Sequence, residues 1–198
     1  MSGEKLYFIT GNKHKFLEAS HILSIYHIEL EMLNIGKLEI QSDNLAEIAL
    51  FAAKDAFKRI RKPLLVEDAG LFIKCLKGFP GPFSSYVYKT IGVNGILRLM
   101  EGLENREAYF ESAVVFCSSP QFCKVFRRRI HGYISLKAKG SGGFGFDPIF
   151  IPKGGDGSTF AELSLQSKCS LSHRGIAFKA FGEWYNRYFR NKFKYFRE

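Results

Sequence analysis

Four short stretches of this 198-residue chain combine residue types that handle phosphate, metal ions or a flat heterocycle. In Thr10-Gly11-Asn12-Lys13-His14-Lys15 a glycine permits a tight turn into a helix. Amides at a helix start favour an anion, and Lys15 in the first turn can reach phosphate oxygens. Glu67-Asp68-Ala69-Gly70 follows an apolar strand, where α/β sheets open their ligand crevice. A hard cation such as Mg²⁺ takes one or two carboxylates plus substrate phosphates, and Glu39, ahead of Gln41-Ser42-Asp43, is a third acid for such a set. Extended neighbours point to opposite sides, so only one of Glu67 and Asp68 need enter a site. In Gly142-Gly143-Phe144-Gly145-Phe146-Asp147-Pro148 the two rings can stack on a base, and Asp147 can bond its edge. Finally, Ser172 can cap a helix that carries His173 and Arg174 in its first turn, with Lys168 just upstream. A helix dipole disfavours a cation there, which points to an anionic or carbonyl-bearing partner. Each stretch also has a plain structural reading: a βα turn with solvated lysines, carboxylates capping turns, a glycine loop with core rings, a solvated first turn. Singly, each motif is weak.

The elements that must position these residues are legible in outline. Lys5–Thr10 reads as a strand and Lys13–Leu23 as a helix, with Phe16, Ser20 and Leu23 on one face and Lys13, Lys15 and Glu18 left to solvent or ligand. Ile28–Ile40 reads as strand and loop. Asn44–Arg61 reads as a helix stopped by Pro63, before a buried strand that begins at Leu64-Leu65-Val66. A short helix is expected over Gly95–Met100, strands over Ala108–Cys117 and Phe122–Ile130, and more sheet over Gly132–Leu136. Lys139–Gly157, with seven glycines, reads as loop, and Ser172–Phe193 as a final helix with Ala177, Phe181, Trp184 and Tyr188 in one stripe. Strand, turn, helix at the start marks an α/β unit, best organised as a single domain of two lobes over residues 1–198.

Taken together and in order, the stretches FITGNKHKFLEA, LEIQSDNLAEIA, LLVEDAGLFIKCLKGFPGPFSSYVYKTIG, GGFGFDPIFIP, TFAEL and KCSLSHRGIAFKAF resemble the inosine triphosphate pyrophosphatase family. These are enzymes that hydrolyse noncanonical purine nucleotides such as ITP, dITP and XTP to the monophosphate and pyrophosphate. The resemblance implies an elongated mixed α/β sheet flanked by helices, with the active-site cleft between two lobes, and a homodimer. It implies triphosphate binding by Thr10, Gly11, Asn12, Lys13 and Lys15, and a Mg²⁺ site on Glu39 and Asp68. Asp68 is also the implied proton acceptor, with Lys15 stabilising charge beside it. It implies base and nucleotide contacts from Ala69, Phe144, Gly145, Phe146, Asp147, Lys168, His173 and Arg174. The chain departs from the family pattern in carrying Ala69 for Ser or Thr, Cys169 for Asn, and Ala52 where a lysine often sits, with Lys54 on a different face. Selectivity is expected from donors such as Arg174, which would meet a purine carbonyl and reject the adenine amino group.

Composition sets the outer bounds. With 46% hydrophobic and 24% charged residues the chain is globular, and 20 Phe and 9 Tyr supply a core. A net charge of +10 suits a polyanionic small substrate, a nucleic acid or an acidic membrane. No apolar run is long enough to span a bilayer and Met1–Leu6 lacks a signal-peptide core, so a cytoplasmic protein without a membrane partner is expected. The rival readings are a Maf-type nucleotide pyrophosphatase, opposed by FGFD followed by SHR, and a basic nucleic-acid binder. The second rests on the aromatic and basic tail Tyr188–Arg197; docking of its rings on the core is preferred, and no nucleic-acid partner is expected. None of Cys75, Cys117, Cys123 and Cys169 forms a CxxC pair, against a zinc or redox motif. If the arms around Pro120 pair symmetrically, Cys117 and Cys123 lie opposite each other, within disulfide reach. Two free thiols are nevertheless the expectation for a reducing compartment.

Overall fold

The computed structural model describes residues 5–38 and 40–189. In chain order the elements are β1 (Leu6–Ile9), α1 (Lys13–Ser24), β2 (Leu30–Leu33), α2 (Leu45–Ile60), β3 (Leu64–Ile73), β4 (Pro80–Gly81), α3 (Ser84–Thr90) and α4 (Gly92–Leu99), then β5 (Glu107–Cys117), β6 (Cys123–Ile134), β7 (Phe150–Pro152), α5 (Leu165–Leu171) and α6 (His173–Trp184). The helices start where the capping residues stand. Asn12 accepts from the His14 and Lys15 amides, Asn44 from Ala46, and Ser172 from Gly175. α2 ends on Arg61 in the left-handed conformation, φ 52°, two residues before Pro63.

The seven-stranded sheet runs β2-β1-β3-β5-β6-β7, with β4 paired to β3. β2, β1 and β3 are parallel; the remaining pairings are antiparallel. Alternation along the strands assigns the helices to faces. Leu6, Phe8, Leu65, Val114 and Phe116 pack with α1 and α6, whereas Ile9, Leu64, Val66, Ala113 and Val115 pack with α2. α1, which follows β1, and α2, which leads into β3, thus cover opposite faces of the sheet, β2 and β3 flank β1, and the crevice past the end of β1, beside the middle of β3, is the switch point where α/β ligands bind. A third core, including Leu71, Ile73, Val87, Ile96, Phe110, Phe150 and Phe160, fills the far end of β3 and β5, giving the second lobe.

β3 runs ten residues, well beyond its apolar start, because β5 pairs with it from Leu64 to Ile73. Glu67 and Asp68 are therefore inside a strand and not after one. The outer edge of β3 is interrupted. β1 covers it through Val66 and β4 resumes at Leu71, so residues 67–70 face a window with no neighbouring strand.

Other expectations need revising. Two helices, α3 and α4, replace the one expected over Gly95–Met100, and β6 is continuous through Gly132. The final helix starts at Ser172 as expected, but an unexpected helix, α5, precedes it and meets it there, and α6 gives way to a π turn over Tyr185–Phe189. That turn shifts the stripe. Ala177 and Phe181 are buried, Tyr188 is exposed, and Phe189 packs edge-on to Phe116 at 4.8 Å. The rest of the basic tail lies outside the described residues. Among the described residues no helix is long and apolar enough to cross a membrane.

Cys117 and Cys123 form a disulfide, against the expectation of two free thiols. The reason is register: the two residues are paired directly across β5 and β6, with Cα atoms 4.2 Å apart. Thiol counting on the denatured, unreduced protein should find two reactive groups, Cys75 and Cys169. Closing so short a loop contributes ~2 kcal/mol, so C117S/C123S should lower the Tm by roughly 4–8 °C. Four reactive thiols would show that the bond does not form.

Candidate active site

The loop after β1 is held by its own side chains. Thr10, buried, accepts the Asn12 amide on Oγ1 at 3.1 Å, and Asn12 Oδ1 accepts the amides of His14 and Lys15 at 2.9 and 3.1 Å. Two of the amides expected to face an anion are thus engaged in the cap. Gly11 lies close to the end of β2: a β-carbon there would sit 3.1 Å from Asn34 Oδ1. Lys13 and His14 are exposed, while Lys15 turns inward.

Lys15 opens a buried chain of alternating charge. Its ammonium lies 2.8 Å from Glu67 Oε2, and Glu67 Oε1 accepts from Arg174 Nε at 3.1 Å and Ser112 at 2.9 Å. Arg174 Nη1 reaches Glu18 Oε2 at 2.8 Å, and Lys168 donates to Glu18 Oε1 and to Asp147 Oδ2, both at 2.6 Å. Asp147 Oδ2 also accepts the Phe144 amide at 2.7 Å. Three cations and three carboxylates from α1, β3, the glycine loop, α5 and α6 are joined, and their charges sum to zero. Burial alone would raise Glu67, but Arg174 and Lys15 outweigh it and hold its carboxyl well below the usual range. Glu18 is lowered in the same way, burial being overcome by Arg174 and Lys168. Asp147 goes the other way: burial raises it and Lys168 offsets only part.

Two sequence expectations change here. Glu18, left to solvent or ligand by the sequence, is buried at the centre of the chain of charges; it shares the inner side of α1 with Ile22, four residues on. Arg174 does have anionic partners, but they are the protein's own Glu18 and Glu67. The spacing that could have revealed Glu18 was its position one turn after Lys15 and one turn before Ile22.

The two rings of the glycine loop separate. Phe146 is a core residue, edge-on to Tyr88 at 5.6 Å. Phe144 is half-buried, stacked on His14 at 5.3 Å, with Lys168 and Arg174 4.8 and 5.2 Å from its ring. Gly143 must be glycine: its φ is +68°, and a β-carbon would meet Asp147 Oδ2 at 2.1 Å. Gly175 lets α6 fold back on α5, since a β-carbon there would lie 1.7 Å from the Cys169 carbonyl oxygen. His173 stacks flat on Phe110 at 4.6 Å, and its buried Nδ1 has no hydrogen-bond partner. Burial, reinforced by Arg174, pushes its pKa far down, so the imidazole stays neutral. The Cys169 thiol, buried beside Glu18, is pushed up to about 11.

Asp68 stands apart from this network. The pleat sends it to the α2 side of the sheet, half-buried at the window, where its Oδ1 accepts the Ala69 amide at 3.1 Å. Glu39 lies outside the described residues. Among the described residues no group of three His, Cys, Asp or Glu could hold a metal. The hard oxygen of Asp68 suits Mg²⁺, which takes few protein ligands when phosphates complete its shell. Glu67 and Glu18 are committed to cations. Ala52 is buried against the sheet in the α2 core, and Lys54 is exposed.

Fold and site together define an α/β protein with a switch-point crevice and a half-open ring beside buried cations. The model of the Ham1 family matches residues 6–184, and the chain belongs to that family. It is 49% identical to a Methanopyrus kandleri protein named dITP/XTP pyrophosphatase, over 91% of this chain and 96% of that one. A Saccharolobus solfataricus protein of the same name is 46% identical over 94% and 96%. The solved HAM1 protein from Coxiella burnetii superposes with a TM-score of 0.79 at 25% identity, covering 90% of this chain and 96% of that one.

Two outcomes follow from the network. E18A strands two buried cations and should cost ~3–5 kcal/mol in urea unfolding; a cost under ~1 kcal/mol would mean that they do not depend on it. His173 is neutral when folded but titrates near ~6.5 when unfolded. Its contribution is complete above that pH and is lost as pH falls, by up to ~1.4 kcal/mol per unit. H173F keeps the ring on Phe110 and should flatten that slope between pH ~6.5 and ~5. Equal slopes in variant and parent would contradict a neutral His173.

Proposed function

We propose that this protein hydrolyses noncanonical purine nucleoside triphosphates, dITP, XTP and ITP, to the monophosphate and pyrophosphate, as a Mg²⁺-dependent cytoplasmic homodimer that clears such nucleotides from the pool. The observation that carries the reading is the buried charge chain, which ties the Thr10–Lys15 loop, the Phe144–Asp147 segment and the Lys168–Arg174 elbow to one window in the sheet. The names of relatives nearly half identical over most of the chain support it.

Each residue has a task in this reading. The purine stacks on Phe144, the ring of its segment left half-open. Arg174 engages Glu67 through Nε and Glu18 through Nη1, so Nη2 is the nitrogen that would meet a carbonyl at C6 of the base. An adenine amino group there would set donor against donor, a mismatch worth orders of magnitude in related recognition problems. Asp147 and Lys168 hold the Phe144 backbone and ring in place. The phosphate chain runs out from the Thr10–Lys15 loop, where Lys13 and Lys15 offset its charge. Mg²⁺, held by Asp68 and Glu39, would supply charge neutralisation across the phosphates. Asp68 accepts the proton of the water that attacks the α-phosphorus, and pyrophosphate leaves as one unit. Placement of charge of this kind is the main resource in phosphoryl transfer.

A panel of nucleoside triphosphates with Mg²⁺, followed by phosphorus NMR, tests the reading. Pyrophosphate and monophosphate should appear from dITP, XTP and ITP, with ATP and GTP much slower. D68N should fold normally and lose at least ~10² in turnover. Orthophosphate with a nucleoside diphosphate, or a folded D68N at near-parental rate, would overturn it.

A further inference from the structure

The side of the sheet that carries Asp68 has a second charged group that no motif singled out. Residues paired across strands share a face, so Asp68, Ala113 and Arg127 form one cross-strand row, and Gly70, Glu111 and Arg129 the next. α2 packs on the earlier rows, through Val66, Val115 and Cys117, and reaches Ala113, with Leu45, Ala49, Ala52, Ala53, Ala56 and Phe57 in the same core. In the two rows beyond, Glu111 is fully buried, and both Arg127 and Arg129 donate to it, one to each carboxylate oxygen. Their side chains remain 43% and 44% exposed. Arg129 also lies over the Tyr109 ring at 4.6 Å, and Tyr109 stacks on Phe72 at 4.8 Å. Two guanidinium groups on one carboxylate leave one positive charge uncompensated. Each has donors to spare, since Nε carries the bond to Glu111 in both.

This is a fixed pair of forks, not two loose surface arginines. The buried carboxylate and the aromatic stack hold them, and preorganised guanidinium groups match the bidentate geometry of phosphate. Arg127 is two strands from Asp68, about 10 Å between backbones, with only the methyl group of Ala113 between them. A pyrophosphate group leaving the neighbourhood of Asp68 on this face would come within reach of both.

Resting on the function proposed above, we propose that Arg127 and Arg129, positioned by Glu111, form a pyrophosphate subsite that takes the β- and γ-phosphates of the substrate and the departing product. This places positive charge on Asp68's face, where α2 presents an apolar side to the sheet. It also divides the substrate: base and sugar on the α1/α6 side of the window, terminal phosphates on the α2 side.

Calorimetry with inorganic pyrophosphate in Mg²⁺ buffer tests the subsite without relying on nucleotide turnover. R127Q and R129Q each remove one partly exposed charge and should fold. Each should weaken pyrophosphate binding about tenfold or more, the loss expected for one charge-assisted contact. Binding of inosine monophosphate should be unchanged in both. R128Q is the control: Arg128 removes equal charge from the opposite face and should leave pyrophosphate affinity intact. Unchanged pyrophosphate affinity in both R127Q and R129Q would overturn the subsite. So would an equal loss in R128Q, which would reduce the effect to net charge. If the parent binds pyrophosphate and the variants lose it while no inosine or xanthosine nucleotide is hydrolysed, the subsite stands and the proposed substrate falls.

Discussion

The site depends on six ionised groups having been taken out of water together. A lone buried carboxylate or ammonium costs several kcal/mol even after relaxation. Lys15, Glu67, Arg174, Glu18, Lys168 and Asp147 avoid most of that by alternating in sign, so each ion faces opposite charge. The alternation needs residues from five separate parts of the chain. Closing the network therefore also closes α1, α5 and α6 onto β3, and the placing of the Phe144 ring follows from the same bonds. Phe144 is held through its amide by Asp147, and Asp147 through Lys168 by Glu18.

The second constraint is the interruption along β3. An edge strand that is left unpaired over four residues, 67–70, would ordinarily be an unsatisfied stretch of backbone. Here side chains serve it locally. Asp68 accepts the Ala69 amide, and Ser84 accepts the Leu71 amide while donating to the Gly81 carbonyl. The gap gives access to both faces of the sheet at one point. Adjacent residues of a strand then serve different tasks: Glu67 anchors the buried cations on one side, and Asp68 stands on the other.

Most of the fold was legible because capping residues and apolar periods agree with the tertiary structure at Asn12, Asn44 and Ser172. The α/β class, the loop after β1 and the helix start at Ser172 follow from local signals. What escaped was long-range. Nothing local says that β5 would extend β3 past its apolar start, so the acids were placed beyond a strand that in fact contains them. Nothing local says that Phe146 would fill the third core while Phe144 stays half-open, since the two differ only in which side of Gly145 they occupy. Glu18 reads as open to solvent or ligand because its partners Lys168 and Arg174 are about 150 positions away. The cysteine pair shows the reverse error. Symmetric pairing about Pro120, one register open to the hairpin, is the register found, and the expectation of free thiols rests on the compartment alone.

The two faces also explain how one narrow sheet can both recognise and react. Recognition by buried, mutually neutralised ions is stiff, because moving any one of them exposes an uncompensated charge to low dielectric. Phosphoryl chemistry needs the opposite, an open place where hydrated charge can enter, be neutralised and leave. Putting Arg174 and Lys168 behind the α1/α6 face, each only 2% exposed, separates them from Asp68 by the thickness of the sheet. Asp68 stands half-buried across the strand, on the opposite face. In the function proposed above, one nucleotide spans the single strand between them, with its ring on Phe144 and its phosphates over the window. The disulfide at the end of β5 and β6 ties the two strands that carry Ser112, Glu111 and Arg127, so both sets of contacts are referred to one rigid hairpin.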